Sequence, residues 1–300
     1  LATYPRSTAV YNIKGAVEMA LKDYEQAIKS YQKALEINEG HPDLYYNLGN
    51  AQKFKGDVGN SIDSYEKVVK LNPKHFNAYL NMGIQLRKKG ELDRALESYE
   101  KAIEIKPDFP EAYNNLGTLF KQKGELDRAL ENYQKAIEIK PGFAEAYNNL
   151  GTLFKDKGEL KHALESYEKA IEVNNYDSMF HFNKAIVLNL IGNLSESKKS
   201  YYRSIQLDPN NTDAYHNLAN IYKREGVFDK AIQNYKTVLK FNPRNLEVLH
   251  ILNAITGVTT NSAPKEYIIN LFDNYALQFE NSLVKNLEYN APTEILNIIK

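Results

Sequence analysis

Along most of the chain apolar residues return at intervals of three and four, and the whole arrangement returns every 34 residues. The clearest copy is Pro110 to Phe143, PEAYNNLGTLFKQKGELDRALENYQKAIEIKPGF. Stepping by 34 from Tyr113 lands on Tyr79, Tyr45 and Tyr11 in one direction, and on Tyr147, His181 and Tyr215 in the other. Counting each copy from its first residue, Tyr113, Leu116, Gly117 and Phe120 hold positions 4, 7, 8 and 11, one face of an α-helix. Glycine at position 8 costs about 1 kcal/mol of helix propensity against alanine. Its recurrence at Gly49, Gly83, Gly117 and Gly151 predicts a neighbouring helix that needs the space. Glycine at position 15 (Gly56, Gly90, Gly124, Gly158, Gly192, Gly226) predicts the end of the helix, because it takes the left-handed conformation without a side-chain clash. A second helix follows with Ala129, Tyr133 and Ala136 on its buried face, stopped by Lys-Pro or Asn-Pro.

Seven copies share this register: 8–41, 42–75, 76–109, 110–143, 144–177, 178–211 and 212–245. A helical hairpin cannot bury its apolar faces alone, so the expected fold is an all-α, right-handed α-solenoid of stacked hairpins. Residues 1–7 read as the end of a preceding copy, with Pro5 in the place of the helix-ending proline. Residues 246–257, LEVLHILNAITG, read as one more first helix that caps the stack. Residues 258–300 read as a loop followed by helices, the longer one carrying Ile268, Leu271, Phe272, Tyr275 and Phe279 on one face. The sixth copy departs from the pattern, with His181 for tyrosine, Lys184 for leucine, and Ser197 and Ser204 for the two alanines. It is either a looser, drifted repeat, or a place where Met179 and Phe182 form an apolar patch for a partner side chain.

Composition adds mostly exclusions. The chain has 22 tyrosines, and 13 of them fall at positions 4 and 24, which makes them packing residues rather than a binding surface. Lysine plus arginine equals aspartate plus glutamate at 38 each, so no bulk pull toward nucleic acid or an anionic membrane follows. The absence of cysteine excludes disulfides and thiolate metal sites and fits a reducing, cytoplasmic setting. No apolar run approaches the roughly 20 residues that span a bilayer. Glycine-rich phosphate loops, H-E-x-x-H and G-x-S-x-G are all missing, and the six histidines are scattered, so no catalytic residue, metal or cofactor is expected.

Two polar series remain. Position 6 is asparagine in six successive copies: Asn47, Asn81, Asn115, Asn149, Asn183 and Asn217. Asparagine is a mediocre helix former, so its recurrence in mid-helix needs a cause outside the helix. Position 12 is Lys53, Arg87, Lys121, Lys155 and Lys223, with Asn189 the exception. That series is either a basic stripe for acidic peptides or a response to the helix macrodipole, worth about 0.3–1 kcal/mol per cation. A clamp on a terminal carboxylate would also use asparagine at position 9, which only Asn50 and Asn220 supply.

The register of aromatic, Leu-Gly, aromatic, Ala, Tyr, Ala and Pro resembles the tetratricopeptide repeat family over nearly 240 residues. NLGTLFKQKGEL and AIEIKP look like repeats fused to enzymes, including bacterial relatives of the O-linked N-acetylglucosamine transferase. YIINLFDNYALQFENSLVKNLEYNAP resembles the entry segment of bacterial tetratricopeptide–methyltransferase fusions, through Leu271, Phe272, Asp273, Tyr275, Ala276 and Phe279. The resemblance implies that first helices line a concave groove and that the position-6 amides project into it. As in the transferase, such a row clamps the backbone of an extended peptide. The alternative is that these amides bond a neighbouring helix. The expected function is thus a non-catalytic module that binds a protein or peptide, recruiting substrate for a methyltransferase. The alternatives are a glycosyltransferase module or a stand-alone scaffold. The repeat-like ends could also pack end to end between molecules.

Overall fold

The computed structural model describes residues 7–258. The Pro5 position and the Leu271–Phe279 motif lie outside the described residues. Fifteen α-helices and no strand occur among the described residues. The chain divides between Asn175 and Tyr176 into two units. Unit 1 holds five hairpins: α1 (Thr8–Ala20) with α2 (Tyr24–Ile37), α3 (Pro42–Lys55) with α4 (Val58–Leu71), α5 (Phe76–Lys89) with α6 (Leu92–Ile105), α7 (Pro110–Gln122) with α8 (Leu126–Ile139), and α9 (Ala144–Asp156) with α10 (Leu160–Val173). Unit 2 holds α11 (Ser178–Leu190) with α12 (Leu194–Leu207), α13 (Thr212–Arg224) with α14 (Phe228–Phe241), and the single helix α15 (Leu246–Thr256). The fold is an all-α solenoid of stacked hairpins.

Helix starts follow local chemistry. Asp23, Asp57, Asn193, Asn211 and Asn245 each accept from the backbone N–H three residues on, while Pro42 and Pro110 sit at the first helical position. At the turn inside the hairpin the backbone adopts positive φ, for instance 87° at Gly56 and 79° at Gly124. The first hairpin makes the same turn with Lys22 at φ 61°.

The glycine at position 8 answers to the second helix of its own hairpin. A Cβ on Gly117 would stand 2.8 Å from the Tyr133 ring, and one on Gly83 would stand 2.6 Å from that of Tyr99. That close approach buries the tyrosine. Tyr65, Tyr99, Tyr133, Tyr167, Tyr201 and Tyr235 are the largest fully buried side chains of the described residues.

The buried stripe of the first helix is wider than positions 4, 7, 8 and 11. Ala112 and Leu119, at positions 3 and 10, are fully buried, whereas Tyr113 at position 4 is only half-buried. The reason is that α7 is sandwiched. One flank meets α8, and the other meets the preceding second helix α6, where Ala112 packs with Ala102 and Phe109. A helix between two neighbours needs more than one apolar stripe.

Candidate functional site

All the candidate side chains stand on first helices. The six position-6 asparagines are half-buried. In unit 1 their partners follow a spacing of 35, which joins position 6 to position 5 of the preceding repeat. Asn47 Nδ2 donates to Asn12 Oδ1 at 3.1 Å, Asn81 Nδ2 to the Tyr46 hydroxyl at 3.1 Å, and Asn149 Nδ2 to Asn114 Oδ1 at 2.9 Å. Where position 5 is apolar Leu80, Asn115 turns back and donates to the Glu111 carbonyl of its own helix at 2.7 Å. In unit 2 the residue 35 before Asn217 is Phe182, which offers no acceptor. A carboxamide carries two donor hydrogens and an acceptor oxygen, so one such bond leaves much of its capacity unused.

Position 9 is committed to the core tyrosines. The hydroxyl of Tyr65 donates to Asn50 Oδ1 at 2.8 Å, and that of Tyr235 donates to Asn220 Oδ1 at 2.5 Å. Thr118 accepts from the Tyr133 hydroxyl at 3.2 Å, and the Thr152 and Tyr167 hydroxyls share a hydrogen bond of 3.1 Å. The two asparagines that a carboxylate clamp would use are therefore engaged inside the hairpin. In the third repeat position 9 is Ile84, and the Tyr99 hydroxyl is buried without a hydrogen-bond partner. Burial pushes the Tyr99 hydroxyl up to about 12, against the opposing pull of the Arg87 guanidinium, which lies beside it but is not aligned for a hydrogen bond. Burial likewise raises Tyr167 to about 12, with the Thr152 bond working the other way.

The basic series divides sharply. Lys121 pairs with Asp156 at 2.8 Å, and Lys155 lies 3.6 Å from the other oxygen of the same carboxylate. Lys53 reaches no carboxylate; its Nζ donates to Asn81 Oδ1 at 3.3 Å and lies 5.0 Å from the Phe54 ring centroid. Burial lowers the Lys53 pKa, and repulsion from Lys88 lowers it further. The buried Nε of Arg87 lacks a partner. Lys223 is exposed, and beside it Arg224 donates to Asn189 Oδ1 at 2.7 Å. The position-13 residues Lys88, Asp156 and Arg224 thus decide what position 12 can do. A comparison of copies at equal positions passes over them; the spacing of 35 exposes them.

The sixth repeat is well satisfied. The Ser197 hydroxyl donates to the Ala185 carbonyl at 2.8 Å, tying α12 to α11, and the Ser204 hydroxyl accepts from Asn211 at 3.2 Å. Phe180 and His181 are buried, and Met179 is exposed. Phe182 is half-buried with its ring tilted against Tyr201, centroids 5.9 Å apart, on the flank of the unit 2 core. The described residues contain no cluster of three or more His, Asp or Glu side chains able to hold a metal ion. No helix among them is long and apolar enough to cross a membrane.

Hairpins repeated every 34 residues, each closed by a buried tyrosine over a glycine or alanine, define a helical repeat protein. Models of the tetratricopeptide repeat match residues 15–56, 42–75, 64–97, 85–124, 117–156, 144–177, 180–211 and 212–245, and the chain belongs to that family. No curated protein matches it. Among solved structures it is similar to the MamA protein, with 30% identity over 56% of this chain and 92% of that one, at a TM-score of 0.50. It is similar to YrrB, described as a tetratricopeptide protein with an unusual peptide-binding site, with 25% identity over 63% of this chain and 98% of that one, TM-score 0.50. PilF of Pseudomonas aeruginosa, at 18% identity, covers 72% of this chain and 98% of its own with a TM-score of 0.62, a likeness of fold.

Proposed function

We propose that this chain is a non-catalytic interaction module that captures an extended segment of another protein along its first helices. The observation that carries the reading is the row of half-buried amides. Asn47 and Asn149 spend one donor on the preceding repeat, and Asn115 spends one on its own helix, while the carboxamide oxygens keep room for a ligand N–H. Asn47, Asn81 and Asn149 then have two uses, fixing the register of neighbouring hairpins and offering a rung to a peptide backbone, while Asn115 is free of the first. The peptide-binding site of YrrB supports the same use of this scaffold. Within this reading, the likeness of residues 271–279 to a methyltransferase entry segment makes substrate recruitment for such an enzyme the proposed setting. A nucleotide-sugar-binding fold, or a stop codon, directly after residue 300 would overturn that setting.

The test separates the two uses of the amide. Peptides are selected from a random 12-residue library with the full chain, and their affinities are compared across two variants. Asn115→Ala removes no bond between repeats, so affinity is expected to fall while the urea midpoint holds. Asn149→Ala also strips a partner from the buried Asn114 oxygen and is expected to lower both, the stability by about 1–3 kcal/mol. Undiminished peptide affinity in Asn115→Ala would remove the amide row from the mechanism.

A further inference from the structure

One slot recurs between adjacent first helices of unit 1, formed by position 12 of one repeat and position 13 of the next, 35 residues on. Between α7 and α9 the slot holds Lys121 and Asp156, an ion pair at 2.8 Å. Between α3 and α5 the same positions are Lys53 and Lys88, with Lys53 Nζ reaching Asn81 on α5 at 3.3 Å and within the repulsion of Lys88. Neither of these lysines has a carboxylate within ion-pair distance among the described residues, and neither does Arg87, next to Lys88 on α5. The same pair of repeat positions thus carries a neutralised pair in one place and two mutually repelling cations in the other.

The surroundings of the second slot are polar and partly ordered. Asn81 receives Lys53 Nζ on its oxygen and directs its amide at the Tyr46 hydroxyl (3.1 Å) and the Asn50 oxygen (3.3 Å). Lys53 is half-buried, so its charge is poorly hydrated and its repulsion from Lys88 poorly screened. Both costs fall when an anion enters. Lys88 is exposed, so the slot is open to solvent on that side.

We propose that the Lys53–Lys88 slot is a subsite for one carboxylate of an acidic segment of a partner protein, seated where Asp156 sits in the equivalent slot two repeats on. The assignment rests on the peptide-capture reading above and deepens it: the amide row holds backbone, and this slot selects an aspartate or glutamate at one place along the segment. The slot beside Lys121 and Lys155 makes no such selection, because Asp156 already occupies it.

The library selection is repeated on the full chain and on Lys88→Asp, which copies the neutralised slot at an exposed residue. Lys53→Gln serves as a second variant should the first unfold, with helix content followed by circular dichroism. Peptides selected by the unaltered chain are expected to share an acidic residue, and that enrichment is expected to vanish in Lys88→Asp. Fluorescein-labelled hexaglutamate should bind the unaltered chain more tightly than hexaglutamine and lose about fivefold in affinity in the variant, the upper end for a solvent-accessible ion pair. Selected peptides without acidic enrichment, or with an enrichment that survives both substitutions, would overturn the subsite and leave peptide capture standing. A selection that yields no peptides at all would overturn both.

Discussion

The buried tyrosine of each hairpin shows how one neighbouring residue sets the worth of a hydroxyl. Tyr65 and Tyr99 occupy the same repeat position and are both fully buried. Tyr65 donates to Asn50 at 2.8 Å, whereas position 9 of Tyr99's own hairpin is Ile84 and the Tyr99 hydroxyl, with Arg87 beside it, makes no aligned hydrogen bond. A satisfied hydroxyl contributes about 0.5–1.5 kcal/mol net, while an unsatisfied buried one costs desolvation without return. Tyr65→Phe is therefore expected to destabilise the chain by about 1 kcal/mol, and Tyr99→Phe to leave stability unchanged or raise it. Urea unfolding followed at 222 nm makes the comparison. An equal loss in both variants would mean that Tyr99 has a partner the geometry does not give it.

At the scale of the hairpin, the elements were legible in the sequence and the contacts between them were not. Glycine at positions 8 and 15 marked a close approach and a helix end, because only a residue without Cβ tolerates either, and the structure places both as expected at Gly117 and Gly124. The partners of the asparagine row stayed hidden, since they join position 6 to position 5 of another repeat. Only stacking brings Asn149 to Asn114, or leaves Asn115 facing Leu80. The split of the basic series was hidden for the same reason: Asp156 and Lys88 are unremarkable until each is placed beside the cation 35 residues earlier. The first hairpin also hid a strained turn. Lys22 stands where the later repeats have glycine and takes φ 61°, a conformation that costs an L-residue roughly 1–2 kcal/mol. Glycine removes that strain but adds freedom to the unfolded chain. Lys22→Gly should therefore stabilise by about 0.5–1 kcal/mol, with the gain confined to α1 and α2 in hydrogen exchange. A drop in stability would show that the Lys22 side chain does more than its backbone suggests.

Across the whole molecule, a chain of stacked hairpins distributes stability as a sum of local terms, so a protonation event in one unit loosens that unit first. His216 provides such an event in unit 2. Its ring lies against Tyr235 with centroids 6.1 Å apart, and Nε2 sits 3.4 Å from the Asn220 amide that steadies the Tyr235 hydroxyl through its oxygen. Burial lowers its pKa below the ordinary 6.5, outweighing the opposite pull of Glu247 and Asp213. The folded state then binds a proton less readily than the unfolded chain, so the unfolded state carries more protons as the pH falls through 6.5. Stability contributed by neutral His216 is thus fully present above that value and lost below it. Between about pH 7.5 and 5.5, on either side of the ordinary histidine range, exchange protection in α13, α14 and α15 should fall in the unaltered chain. In His216→Gln, which cannot titrate, the fall in those helices should be much smaller. The same loss of protection in both proteins would assign the acid sensitivity to another group and leave His216 a packing residue.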